Sequence, residues 1–216
     1  MNVAIDGPAG AGKSTIAKLV ADKKGYIYVD TGAMYRSIAL YIIKNEIDSD
    51  DDDNVRAACD NIDIKIKYVD KVQHIYLNDE DVSTAIRREE VGNIASKVAA
   101  KKVVREKLLN LQRDIAKEND VIMDGRDIGT FVLPNAELKI YLTASVYTRA
   151  KRRYDQLVEK GENPNLEKIE EDIEKRDYQD MHREIAPLKQ AEDAILVDSS
   201  DMTIEEVVDK IISLIP

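Results

Sequence analysis

Five short apolar runs punctuate the chain, each closing on polar residues: "NVAID" at 2–6, "YIYVD" at 26–30, "DVIMD" at 120–124, "LKIYLTA" at 138–144 and "AILVDSS" at 194–200. They are rich in Ile, Val or Leu, and helical patterns separate most of them. Buried parallel strands of a doubly wound α/β sheet have this pattern. Ligands of such sheets sit beyond the carboxyl ends of the strands. Asp6, Asp30, Asp124 and the "GRD" that follows Asp124 therefore collect on one edge.

Two regions depart from the strand–helix rhythm. Residues 48–90 open on the acidic run "DSDDDD" and continue through "IDIKIKY" and "HIYLND", which alternate apolar and polar with period two and predict a small antiparallel insertion. The acidic run reads as a solvated loop rather than a metal site. From Arg87 to Lys117 the pattern is helical and carries Ser96 and Arg105 toward whatever lies under the insertion. Residues 145–186 form two polar helical halves around a Gly and Pro break, the composition of a lid rather than a core.

The first strand runs into "GPAGAGKST", residues 7–15. Gly7, Gly12, Lys13 and Ser14 fit G-x-x-x-x-G-K-[ST] between a strand and an amphipathic helix, the context that turns the motif into a structural expectation. Gly7, Gly10 and Gly12 let the backbone curl, with Pro8, Ala9 and Ala11 between them, so that N–H groups converge on a polyphosphate at a helix N-terminus. Lys13 would reach the β- and γ-phosphates and the Ser14 hydroxyl would ligate Mg²⁺, with Thr15 completing the ATP-binding loop.

Composition narrows the field. The 216 residues are 44% hydrophobic and 34% charged, enough for one domain with small mobile subdomains. A net charge of −10 argues against a nucleic-acid or membrane-surface role, so any anion site must be local. Cys59 is the single cysteine, the first residues resemble no signal sequence, and no apolar run is long enough to span a membrane. A cytoplasmic location is expected. His74 and His182 lack metal-ligand spacing and read as surface residues, and no Ser/His/Asp arrangement is evident.

A phosphate acceptor needs cations of fixed geometry, which arginine supplies with a bidentate fork. Arg36 in "DTGAMYR", Arg126 in "DGRD", and Arg176 and Arg183 in "KRDYQDMHRE" occupy polar segments. The spacing of Arg176, Asp180 and Arg183 puts two cations around a carboxylate on one helix face. "GPAGAGKST", "YVDTGAMYR", "LNDEDVSTAIRREEV", "ASKVAAKKVVRE", "DGRDIGT" and "KRDYQDMHREIAPL" together closely resemble the bacterial cytidylate kinases along nearly the whole chain.

The resemblance implies a P-loop nucleoside-monophosphate-kinase fold: a five-stranded parallel sheet flanked by helices, with a small antiparallel insertion and a helical lid. Its expected parts are a core at about 1–35, 116–145 and 187–216, a CMP-binding subdomain at about 36–115 and a lid at about 146–186. It implies transfer of phosphate from ATP to CMP, and to dCMP, in pyrimidine nucleotide metabolism, and a monomer is expected. Thr31, Tyr35 and Arg36 match the acceptor loop, and Arg126, Arg176 and Arg183 the phosphate-binding, catalytic arginines. Ser96, Arg105 and Asp127 match the cytosine contacts and Asp180 the ribose contact, and Asp124 at the strand end joins the CMP-binding set. One departure is "LNDED", where the family usually has Gly in place of Asp79. A P-loop kinase for another small acceptor stays open from the residues alone, as does a nucleotide-dependent switch, although no guanine-reading N-K-x-D is present.

Overall fold

The computed structural model describes residues 1–70 and 72–216. It divides into two compact units, Met1–Tyr28 with Asp120–Pro216, and Val29–Asn119. A five-stranded parallel sheet is built from β1 (Asn2–Asp6), β2 (Ile27–Asp30), β6 (Val121–Gly125), β7 (Leu138–Thr143) and β8 (Ile195–Asp198), in the order β2-β6-β1-β7-β8. β1 is central, pairing with β6 from Asn2↔Val121 and with β7 from Val3↔Leu138. Buried on both faces, it has no polar alternation until Asp6.

The core of the first unit packs α1 (Lys13–Lys24) and α8 (Ile204–Leu214) against this sheet through Val3, Ile5, Ile16, Val20, Ile140 and Ile211. Each such side chain contributes about 1.5–3 kcal/mol by leaving water. α6 (Val146–Glu159) starts at a Ser145 cap, and α7 (Leu166–His182) at an Asn165 cap. Both belong to the first unit, and residues 160–165 form the turn around Gly161 and Pro164 that the sequence marks as a break.

The second unit holds α2 (Thr31–Lys44), α3 (Asp52–Asp60), the antiparallel sheet of β3 (Ile64–Val69), β4 (Val72–Leu77) and β5 (Glu80–Asp81), then α4 (Glu89–Val98) and α5 (Lys102–Glu118). β3 alternates buried and exposed positions, as a strand with one solvated face must. Two details differ from the sequence expectation. The acidic run is no plain loop: Asp51 accepts from the Asp53 and Asn54 N–H groups and starts α3, and Asp52 and Asp53 lie in the first turn, where the helix dipole favours negative charge. The helix expected across 87–117 is broken at residues 99–101, so that Val98 and Val104 are both fully buried from separate helices. The β4–β5 turn puts Asn78 at φ 47 and Asp79 at φ 67, the paired left-handed conformation of a two-residue hairpin loop. Glycine adopts this conformation without a Cβ penalty, which fits the glycine that the resemblance leads one to expect in place of Asp79.

Candidate functional site

The P-loop lies between the end of β1 and the first turn of α1. Gly7 permits its start: a Cβ there would stand 1.9 Å from the Leu142 carbonyl oxygen of the adjacent strand. Lys13 is the first helical residue, and its buried ammonium folds back to donate to the Pro8 carbonyl at 2.7 Å. Burial, and then the Arg126 cation, push its pKa well below the usual lysine value, against the attraction of Asp124, Asp6 and Asp180. The Ser14 hydroxyl donates to Asp124 Oδ2 at 2.8 Å, and Tyr28 donates to the other oxygen of the same carboxylate at 2.9 Å. Asp124 is thus set against the P-loop serine, although the sequence reading grouped it with the acceptor residues.

A second cluster of charges occupies the same unit. Arg126, just past β6, donates from Nε to Asp180 Oδ2 at 2.8 Å. Arg183 donates to Asp127 Oδ1 at 3.1 Å and, from Nε, to the Ala186 carbonyl at 2.8 Å. Arg183 is the residue that ends α7, with extended backbone, so it leaves the helix face that its spacing from Arg176 and Asp180 suggested. Burial disfavours charge on Arg126, but Asp180, Asp124 and Asp177 outweigh it and raise the guanidinium pKa. Burial would likewise raise the Asp180 carboxyl pKa, but Arg126, Arg176 and Arg183 together hold it below the usual range. Both partners' shifts therefore describe a charged pair.

Two further arrangements hold this machinery. Arg149, only 4% exposed, pairs with Asp177 at 2.7 Å and donates to the carbonyls of Ala9 and Ala144 at 2.8 and 2.9 Å. Asp177 also accepts from the Ala9 N–H at 3.4 Å, so one ion pair spanning α6 and α7 grips both polar groups of a P-loop residue. Asp6, the last residue of β1, accepts from the N–H groups of Ile128 and Gly129 at 2.8 and 2.7 Å. Sequence reasoning put Asp6 on the active edge but gave it no role, and it missed Tyr28, Arg149 and Asp177. Nothing local distinguishes those three from ordinary strand and helix residues.

The remaining expected residues lie in the second unit. Asp30 caps α2 by accepting from the Ala33 N–H at 2.9 Å and pairs with Arg87 at 3.0 Å. Thr31, Tyr35 and Arg36 occupy the first turns of that helix. Ser96 is on α4 and Arg105 on α5. Arg105 is buried, donates to the Ala99 carbonyl at the end of α4 at 3.0 Å, and lies 5.7 Å from the centre of the Tyr35 ring. Tyr35, Arg105 and the helix that carries Ser96 are thereby tied together. His74 pairs with Asp81 at 2.9 Å, and His182 stacks on Tyr178 at 4.0 Å. Among the described residues no cluster of His, Cys, Asp or Glu could by itself hold a metal ion, and no helix is long and apolar enough to cross a membrane.

The family model for cytidylate kinase matches residues 3–216. The cytidylate kinase of Caldicellulosiruptor saccharolyticus is 53% identical over 214 residues, covering 99% of this chain and 95% of that one. That of Lactobacillus gasseri is 54% identical over 215 residues, covering 100% and 94%, and that of Bacillus subtilis 46% identical over 215 residues, covering 100% and 96%. Among solved structures, a shikimate kinase from Bacteroides thetaiotaomicron is similar with a TM-score of 0.50 at 13% identity, covering 99% of this chain and 97% of that one. That likeness concerns the fold alone.

Proposed function

Because the chain belongs to the cytidylate kinase family, we propose that it transfers the γ-phosphoryl group of ATP to the phosphate of CMP, and of dCMP, by in-line displacement. The observation that carries this reading is the pairing of a P-loop with a cluster of arginines in one unit: Lys13 over the loop, and Arg126 and Arg183 held by Asp180 and Asp127. Such an arrangement suits transfer between two anions. The acceptor has a second pKa of about 6, so its attacking oxygen is already largely deprotonated near neutral pH and no general base is required. Catalysis then consists of alignment and charge screening.

In this reading Lys13, whose charge is disfavoured by burial and by Arg126, has that charge stabilised when the donor's phosphates arrive. Arg126 and Arg183 exchange their carboxylate partners for the acceptor phosphate, and Arg176, whose charge acts on Asp180, joins them there. Asp180 is then released toward the ribose, and Asp127, with Ser96 and Arg105, reads the cytosine edge. Thr31, Tyr35 and Arg36 line the acceptor's entry.

The hard oxygens of Ser14 and Asp124, 2.8 Å apart beside the P-loop, fit Mg²⁺. Bound there with the nucleotide phosphates and water, the ion would screen charge on the transferring group. α6 and α7 form a lid that excludes water, so that ATP is not simply hydrolysed. The protein acts as a monomer on small molecules in the cytoplasm, and its net charge of −10 disfavours nucleic acid as a partner.

A coupled assay of ADP formation over the ribo- and deoxyribonucleoside monophosphates, with shikimate as an additional acceptor, tests the reading. CMP and dCMP should give the highest kcat/KM. Preference for a purine nucleotide or for shikimate would overturn it.

A further inference from the structure

Asp6 joins the strand before the P-loop to the segment that follows Arg126 and Asp127. It is the last residue of the central strand β1, and Gly7 of the P-loop follows it directly. Its carboxylate is turned toward another segment, accepting from the N–H groups of Ile128 and Gly129 at 2.8 and 2.7 Å. These are the first two residues of a wide five-residue turn, Ile128–Val132, closed by the Val132 N–H on the Asp127 carbonyl at 3.1 Å and the Leu133 N–H on the Ile128 carbonyl at 2.7 Å.

The opening N–H groups of such a turn find no partner within it. One carboxylate, with one oxygen for each, satisfies both. A Cβ at Gly129 would crowd the Lys139 side chain at 3.1 and 3.2 Å and stand in ordinary contact, 3.4 Å, with Asp6 Oδ2. The two residues immediately before the turn are Arg126 and Asp127, which hold Asp180 and Arg183. Asp6 is only 5% exposed, and both of its oxygens serve the backbone, which leaves it badly placed to act as a base or to reach a nucleotide.

We propose that Asp6 is a positioning residue for the acceptor, fixing Arg126 and Asp127 through the Ile128 and Gly129 N–H groups and tying their loop to the root of the P-loop. This rests on the CMP kinase reading above. The carboxylate works through the backbone of the acceptor loop and touches neither nucleotide.

The two oxygens matter separately. Asn keeps the shape of Asp6 but offers one acceptor, and its amide NH₂ would face a backbone N–H. In Asp6→Asn the loop loses one tether and gains a repulsive contact, so Arg126 and Asp127 shift relative to the bound acceptor. A misplacement of about 1 Å can cost on the order of a hundredfold in rate. The donor side, held by Gly7–Ser14 and by Arg149 with Asp177 on Ala9, should keep its geometry.

The test measures KM for CMP and for ATP, kcat, and amide hydrogen exchange at Ile128 and Gly129 in the wild type and in Asp6→Asn. The expected result is a CMP KM raised about tenfold or more, an ATP KM within about twofold, and faster exchange confined to the two amides and their turn. An unchanged CMP KM in a folded Asp6→Asn enzyme, an ATP KM raised as much as that for CMP, or unchanged exchange would each overturn the proposal. A wild type inert toward CMP would overturn the functional reading with it, and is told apart because it fails before any variant is made. If Asp6→Asn does not fold, Asp6→Glu keeps both oxygens but displaces them by one methylene from the Ile128 and Gly129 N–H groups, and an unchanged CMP KM there is equally fatal.

Discussion

Arg126 donates from Nε to Asp180 Oδ2 at 2.8 Å, so a guanidinium expected at the acceptor phosphate is held by the carboxylate expected at the acceptor ribose. The pair keeps two nearly buried charges compensated, and leaving one of them alone would be expensive. Lysine in place of Arg126 would keep the charge but lose the Nε donor and the planar fork. Arg126→Lys should retain the fold and lose about 10- to 100-fold in kcat/KM for CMP. Arg56→Lys, on the exposed side of α3, should stay at the wild-type level. A fully active Arg126→Lys enzyme would mean that a point charge suffices.

Among the described residues Lys13 pairs with no carboxylate, and it donates to the Pro8 carbonyl of the P-loop at 2.7 Å. Lys13→Ala removes a charge needed by the transferring phosphoryl group and should cost about two or more powers of ten in turnover. Its circular dichroism spectrum should match the wild type. Turnover surviving within about threefold would exclude the role, since that is well under 1 kcal/mol of barrier.

Asp127 accepts from Arg183 at 3.1 Å, next in sequence to Arg126, so it stands among the arginines expected at the acceptor. A carboxylate can accept from the N4 amino group of cytosine but has nothing to give the O4 of uracil, whereas an amide has both. Asp127→Asn should therefore lower activity with CMP and raise the UMP-to-CMP ratio of kcat/KM. With about 1–3 kcal/mol per mismatch, the ratio should change by about tenfold or more. Loss of both activities in equal proportion would remove Asp127 from base reading.

The Arg149–Asp177 pair, at 2.7 Å with side chains 4% and 11% exposed, grips Ala9 from both sides. Asp177→Ala leaves a buried guanidinium without its counter-charge, which should cost about 3–5 kcal/mol of stability. Because the grip is on the P-loop, KM should rise for ATP more than for CMP. Chemical denaturation and the two KM values check this together. An unchanged midpoint would show that Arg149 finds another partner.

Burial raises the Asp6 pKa to about 6, opposed by the N–H groups of Gly129 and Ile128 and by Lys13, and assisted by the charge of Asp127. A folded-state pKa above the unfolded value means that the native protein holds this proton more tightly. The group's contribution therefore favours folding below about pH 4 and is lost as pH rises toward 6, the reverse of an ordinary salt-bridged carboxylate. Over that window wild type should lose up to about 3 kcal/mol relative to Asp6→Asn, from about two pKa units. Parallel denaturation curves of the two proteins from pH 4 to pH 7 measure it, and a constant difference would place the Asp6 pKa in its usual range.

The sequence by itself determined whatever is local. The P-loop is legible because its N–H groups, its lysine and its serine all come from residues 7–15, and the buried strands because parallel sheets demand unbroken apolar runs. The acidic run that leads into α3 was legible too, had its aspartates been read as a cap and a first turn.

Tertiary structure alone decided the pairings. Asp124 meets Ser14 across 110 residues, Arg126 meets Asp180 across 54, and Asp6 meets Gly129 across 123, through contacts that no periodicity encodes. It also broke the helix at residues 99–101, a stretch whose Ala-Ala-Lys composition favours helix, because burying Val98 and Val104 outweighs the small propensity of three residues. A carboxylate's chemistry is set by which donors and charges surround it. In this fold those surroundings arrive from strands and helices distant in sequence, and only the packing of the sheet brings them together.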